Sequence, residues 1–280
     1  MRETFETKIL ENRDDVDSYL VYSDWLMDQG DPLGEFIRVQ IQLEDESLDS
    51  KQRQQLQEKE SRLIMENQQH WLPEIQPLLV QEDYETKVEV KYERGFVTVL
   101  TCSRLNIEKA RAIAREPASR WIQELTIYGT EWDEDFEPGD DAPDDIDRPC
   151  LYPLAKSQYL TGLRELSVVD AFDWDAENWG VEQTGDGVAE LVENSPELTT
   201  LWIGCYQADF DRIFAGKTPQ LREIRLSGSY DYDLPILAAN ENMSNLRSLI
   251  VHPDAPEQDH PPPLAQTICR PSPTRTTSIN

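Results

Sequence analysis

A pattern of three apolar residues, spaced apolar-x-x-apolar-x-apolar, recurs five times between residues 122 and 251. The copies are Ile122-x-x-Leu125-x-Ile127, Leu163-x-x-Leu166-x-Val168, Leu198-x-x-Leu201-x-Ile203, Leu221-x-x-Ile224-x-Leu226 and Leu246-x-x-Leu249-x-Val251. In each copy the last two apolar positions are two apart, the period of a strand with one face buried. One such strand cannot shield its apolar side alone, so the recurrence requires the copies to stack. Their starts lie 41, 35, 23 and 25 residues apart. The last two intervals fit a strand and a short helical turn; the first two must hold insertions. Turn residues precede three copies, at Ser195-Pro196, Thr218-Pro219 and Met243-Ser244-Asn245, where one unit ends and the next strand begins. Residues 187–192, 210–214 and 234–240 are read as the helical turns on the convex side.

This arrangement resembles the leucine-rich-repeat family over about residues 96–254. One departure is clear: where the family prefers Asn or Cys, this chain has Thr130, Ala171, Tyr206, Ser229 and Asp254. The resemblance therefore implies short strands lining a concave face but no asparagine ladder, with irregular curvature.

Ahead of the repeats the period changes to that of a helix. Val16, Tyr19, Leu20, Trp25 and Leu26 share one helical face, and Gly30 ends the run. Asp31-Pro32 supplies an N-cap and a first-turn proline for a second helix through Leu33, Phe36, Ile37, Ile41 and Leu43. Residues 51–70, rich in Gln, Glu, Lys and Arg with a stripe of Leu56, Leu63 and Ile64, predict a long, mostly solvated helix closed by Pro73 and Pro77. Apolar alternation on either side of Glu93-Arg94-Gly95 predicts a hairpin.

Residues 19–40, YLVYSDWLMDQGDPLGEFIRVQ, resemble the bacterial repeat-companion domain that precedes leucine-rich repeats. The likeness extends through Trp71-Leu72 to Arg94-Gly95-Phe96-Val97, covers about residues 5–100, and implies no catalytic activity. Asp24, Glu35 and Arg38 could form an acid–base cluster between helices, but carboxylates in such places usually cap helices or form ion pairs. Tyr19, Tyr22 and Trp25 could form an aromatic cage, but their helical spacing beside leucines favours core.

The formal net charge is −29, unevenly spread. Residues 1–120 hold 16 Lys/Arg against 25 Asp/Glu, residues 121–260 hold 8 against 30, and residues 261–280 hold 2 against none. Such a surface repels phosphate backbones and anionic membranes and favours a basic protein partner. The acidity concentrates in two insertions. The first, residues 131–150, sets Trp132 and Phe136 among ten acidic residues, and the second, residues 170–186, sets Trp174 and Trp179 among further carboxylates. Either could clamp a basic peptide or serve only solubility. Outward strand positions add Tyr128, Trp202 and Arg225 as partner-binding candidates, since interface energy concentrates in aromatic and Arg side chains.

No phosphate-binding Gly loop, G-x-S-x-G or H-E-x-x-H is present, and the three His have no credible nucleophile partner. The reading is therefore non-enzymatic, with no cofactor and no metal. His252, Asp254, Asp259 and His260 fall in a Pro-rich stretch and read as chance neighbours. Cys102, Cys150, Cys205 and Cys269 are far apart and are expected to be reduced thiols in a cytoplasmic protein. The fold class expected is α/β: a helical N-terminal cap (1–95), then a short irregular leucine-rich-repeat solenoid (96–254) and a disordered tail (255–280). The function expected is that of a scaffold or adaptor for a basic protein, the alternative being an inhibitor or nucleic-acid mimic that occludes a partner's basic site.

Overall fold

The computed structural model describes residues 1–80, 87–130, 151–169, 187–204, 208–227 and 234–252. Five helices come first: α1 (Arg2–Glu11), α2 (Val16–Asp28), α3 (Pro32–Leu43), α4 (Ser50–Trp71) and the single turn α5 (Gln76–Leu79). Helix α2 stops just before Gly30, and Asp31 caps α3 by accepting from the Leu33 N–H at 2.9 Å. Helix α4 begins with a capping box, Asp49 and Gln52 each bonding the other's backbone N–H. It buries only Leu63 of its expected stripe, so it lies on the domain as a largely solvated rod. No sequence signal singled out α1, which turns Glu6 and Ile9 inward.

Tyr19 and Tyr22 are core residues, not a cage. They pack with Leu26, Phe36, Ile37 and Phe96, with Phe5 and Trp25 stacked near the Tyr22 ring at 5.6 and 6.1 Å. Glu6 is buried beneath them, accepting from the Tyr22 hydroxyl at 2.7 Å and paired with Arg2 and Arg120. A buried carboxylate needs such partners. Arg120 lies 114 residues away in sequence, so this pairing ties the helices to the strands.

A hairpin follows. Strands β1 (Val88–Glu93) and β2 (Phe96–Leu105) pair antiparallel around Arg94-Gly95, both at positive φ (48° and 92°), the conformation of a two-residue primed turn. Then come α6 (Ile107–Arg115), a 3₁₀ turn (Pro117–Trp121), β3 (Glu124–Thr130), α7 (Leu151–Ala155), β4 (Glu165–Val169), α8 (Val188–Glu193), β5 (Thr200–Gly204), α9 (Phe210–Ala215), β6 (Glu223–Ser227), α10 (Leu234–Ala239) and β7 (Ser248–His252). The protein is thus a mixed α/β structure with one open seven-stranded sheet in chain order, β1 antiparallel to β2 and all later neighbours parallel.

The register aligns the apolar pattern. Leu125, Leu166, Leu201, Ile224 and Leu249 form one row, and Ile127, Val168, Ile203, Leu226 and Val251 the next. The first four copies are buried, whereas in the last Leu246 and Leu249 are partly covered and Val251 is 38% exposed. β2 is a further copy: Val97-x-x-Leu100-x-Cys102 is buried, with Leu100 beside Leu125 and Cys102 beside Ile127.

No asparagine-ladder position is needed to join the units, because polar rungs occur on the helical side. Ser157 Oγ donates to Ala114 O at 2.7 Å, Asn194 Nδ2 to Ala155 O at 3.0 Å, and Asn240 Nδ2 to Phe214 O and Gly216 O at 2.7 and 2.8 Å. Each rung satisfies carbonyls left unpaired at the end of the preceding helical turn. No helix among the described residues is long and apolar enough to cross a membrane.

Candidate partner-binding face

In a strand, the residues between the inward ones face the other way, so fixing the inner rows also fixes the outer ones. Running across the sheet, the first outer row is Val99, Glu124, Glu165, Thr200, Glu223 and Ser248; the second is Thr101, Thr126, Ser167, Trp202, Arg225 and Ile250. Glu124 and Glu165 are therefore direct neighbours on adjacent strands, about 4.8 Å apart along the row. Both are exposed, and neither has an ion-pair partner among the described residues. Partial burial, the Glu165 charge and Glu93 across β2 together raise the pKa of the Glu124 carboxyl above its ordinary value, and the Lys91 ammonium offsets only part of that rise.

Trp202 stands one row over, on the strand next to Glu165. It is half-buried, and its indole N–H donates to Ser227 Oγ at 3.2 Å, so the ring reaches across to the next strand. A Cβ on Gly204 would overlap Ser227 Oγ and displace that acceptor. Arg225 is adjacent to Trp202 in the row and is drawn onto its own strand's Glu223 carboxylate. Tyr128 lies further along β3, opposite Val169, half-buried, with burial raising its phenol pKa. Val169, at the end of β4, is 8% exposed and packs by Gly204. Of the seven candidate residues, Tyr128, Trp202 and Arg225 share this face; Trp132, Phe136, Trp174 and Trp179 lie outside the described residues. Sequence reasoning missed the Ser227 tether and the contribution of Glu93.

The helices place Asp24 in an exposed ion pair with Arg38, while Glu35 pairs with Lys59 at 2.6 Å. The supposed acid–base cluster is thus two separate surface pairs, each of small energetic consequence. Among the described residues no group of three His, Cys, Asp or Glu could hold a metal ion. The helical side differs in charge: a hollow of about 510 Å³ between α6 and α7 is lined by Arg111, Arg115 and Lys156, without a carboxylate in its lining. Comparison of the chain with protein-family models, with curated proteins and with solved structures finds no match.

Proposed function

We propose that the chain is a non-catalytic scaffold or adaptor, a short leucine-rich-repeat solenoid behind a helical repeat-companion cap, that takes a basic protein segment across its outer sheet face. The observation that carries this is the pair Glu124 and Glu165, in register, exposed and without an ion-pair partner among the described residues, next to the half-buried Trp202. Like charges directly opposite each other destabilise a sheet, so the pair costs the fold something that a Lys or Arg from outside would reverse. Trp202, pre-oriented by Ser227, offers flat apolar area at little further cost in rotamer entropy. The sequential parallel strands and the polar rungs support the solenoid reading.

The test is titration of the full chain with a short Lys/Arg-rich peptide containing one Leu. The expected result is binding that weakens steeply with salt, falls by roughly tenfold or more in Trp202→Ala, and falls again in Glu124→Gln with Glu165→Gln. Binding unaffected by Trp202→Ala and by the double carboxylate change would sink this proposal.

A further inference from the structure

Where the N-terminal helices meet the first strands, a cleft of about 470 Å³ opens, within the size range of small-ligand sites. Its walls bring together residues distant in sequence: Arg13 after α1, Thr98 on β2, Trp121 from the 3₁₀ turn, and Arg164 before β4. Trp121 is stacked on Phe96 with ring centroids 3.7 Å apart, and both rings belong to the core beneath the cleft, 4% and 6% exposed.

The polar end is unbalanced. The Arg13 guanidinium donates, among the described residues, only to the backbone carbonyls of Trp121 and Arg120, at 3.2 and 3.4 Å, and its Nε is buried without a partner. Among the described residues it has no carboxylate in salt-bridge range. Arg164 adds a second positive charge close enough to disfavour the first, and Glu197 lies 3.6 Å from Arg164 Nε. Two guanidinium groups therefore share one loosely placed carboxylate. Of the other acids on the cleft wall, Glu44 is paired with Arg94 and Glu60 accepts from the Gln40 amide, while Asp14 and Glu93 have no ion pair among the described residues. The charged groups felt by the Arg13 guanidinium are Arg164 and Glu197, with the Tyr19 phenol. Thr98, 7% exposed, also carries a buried hydroxyl with no partner. Unpaired buried charge and unpaired buried hydroxyls are costly, and one ligand could satisfy all three groups. Guanidinium pairs suit a carboxylate, which accepts from both forks.

We infer that this cleft is a carboxylate-binding site: Arg13 and Arg164 hold the anion, Thr98 donates its hydroxyl, and the remainder of the ligand extends along the cleft. A free aromatic acid and the C-terminal carboxylate of a peptide share this chemistry. The cleft and the outer sheet face rest on different residues, so loss of either binding activity leaves the other measurable.

The test is calorimetric titration of the full chain with 3-phenylpropionate, its amide, and two short peptides of one sequence ending in Phe, one with a free carboxylate and one amidated. The expected result is that an acid binds at least about tenfold more tightly than the matching amide, the usual worth of a charge-assisted hydrogen bond. Peptide acid favoured over 3-phenylpropionate assigns the site to a chain terminus; the reverse assigns it to a free acid. Arg164→Gln, at a half-exposed position, should lower acid affinity by about tenfold with an unchanged circular dichroism spectrum, and Thr98→Val by several-fold. Arg13→Gln risks unfolding the junction, so Arg164→Gln is the deciding variant. Equal binding of acid and amide, no binding at millimolar concentration, or wild-type affinity in Arg164→Gln each overturns the assignment.

Discussion

Gly95 is where the hairpin turn presses on helix α3, and replacing it tests whether the N-terminal helices and the sheet are one packed unit. Its φ is +92°, and a Cβ there would overlap Ile37 Cγ1, a fully buried side chain. Its N–H donates to Gln40 Oε1 at 2.5 Å, so the turn cannot move away without breaking a buried hydrogen bond. Gly95→Ala should therefore cost about 1–2 kcal/mol for a left-handed L-residue plus about 1–3 kcal/mol for overpacking. The total, roughly 2–5 kcal/mol, is a large part of a typical 5–15 kcal/mol stability. At an m-value of about 3 kcal/mol/M, the urea midpoint should fall by roughly 1 M. Gly30→Ala separates the two costs: φ is +73° there, but nothing lies within 4 Å of the added Cβ, so only the backbone cost remains. Ile37→Ala clears the space a Gly95 Cβ would enter. The double variant should accordingly be about 1–3 kcal/mol more stable than the sum of the single losses. Additivity to within about 0.5 kcal/mol, or equal losses in Gly95→Ala and Gly30→Ala, would refute the packing account.

Two further predictions concern the polar rungs and the carboxylate row. Asn194→Ala and Asn240→Ala each leave helix-end carbonyls unpaired and should each lower thermal stability by about 1–2 kcal/mol in calorimetry, with Asn240→Ala the larger because Asn240 Nδ2 holds two carbonyls and its Oδ1 also accepts from the Asn242 N–H. The Glu124 pKa is raised in the folded state, so its ionised form is disfavoured there: the favourable contribution belongs to low pH and is lost as pH rises through the folded pKa. Glu124→Gln should therefore be more stable than wild type at neutral pH, with the gap closing as pH falls toward about 4 in denaturant titrations; a gap independent of pH would count against the repulsion.

The five strands were legible because inward positions on stacked strands are forced to be apolar at one spacing. The sixth copy, Val97-x-x-Leu100-x-Cys102, is harder to see because a cysteine reads first as a thiol, whereas Cys102 fills a small apolar position. Asp31-Pro32 announced α3 because caps act locally, whereas α4 was announced by its polar composition and narrow apolar stripe, its Asp49 capping box going unread. Helix α1 was not legible: its inward positions include Glu6, which is buried only through pairing with Arg2, Tyr22 and Arg120. The rungs were hidden by their varying offsets, Ser157 and Asn240 lying six residues before their repeat's first apolar residue and Asn194 four. On the outer face, Trp202 and Arg225 could be placed side by side from pattern alone, but the Ser227 tether and the Arg225–Glu223 pair depend on side-chain direction. The cleft could not be foreseen, since Arg13, Thr98, Trp121 and Arg164 meet only after folding.

Folding constrains the two sides of the sheet differently. Inside, removal of a Leu or Ile leaves a cavity that costs about 2–5 kcal/mol, so stacking alone accounts for those residues. Outside, stacking would accept almost any polar side chain, and it gives no reason for Glu124 to stand beside Glu165. The same reasoning applies at the cleft, where an apolar side chain could replace the Arg13 guanidinium without leaving a buried nitrogen unpartnered. The adjacent carboxylates Glu124 and Glu165 and the adjacent guanidinium groups Arg13 and Arg164 are both local losses of stability, and they have opposite sign. One partner segment with basic side chains over Glu124 and Glu165 and a terminal carboxylate at Arg13 and Arg164 would relieve both, because Thr98 and Gln123 on the cleft wall lie next to Val99 and Glu124, where the row begins.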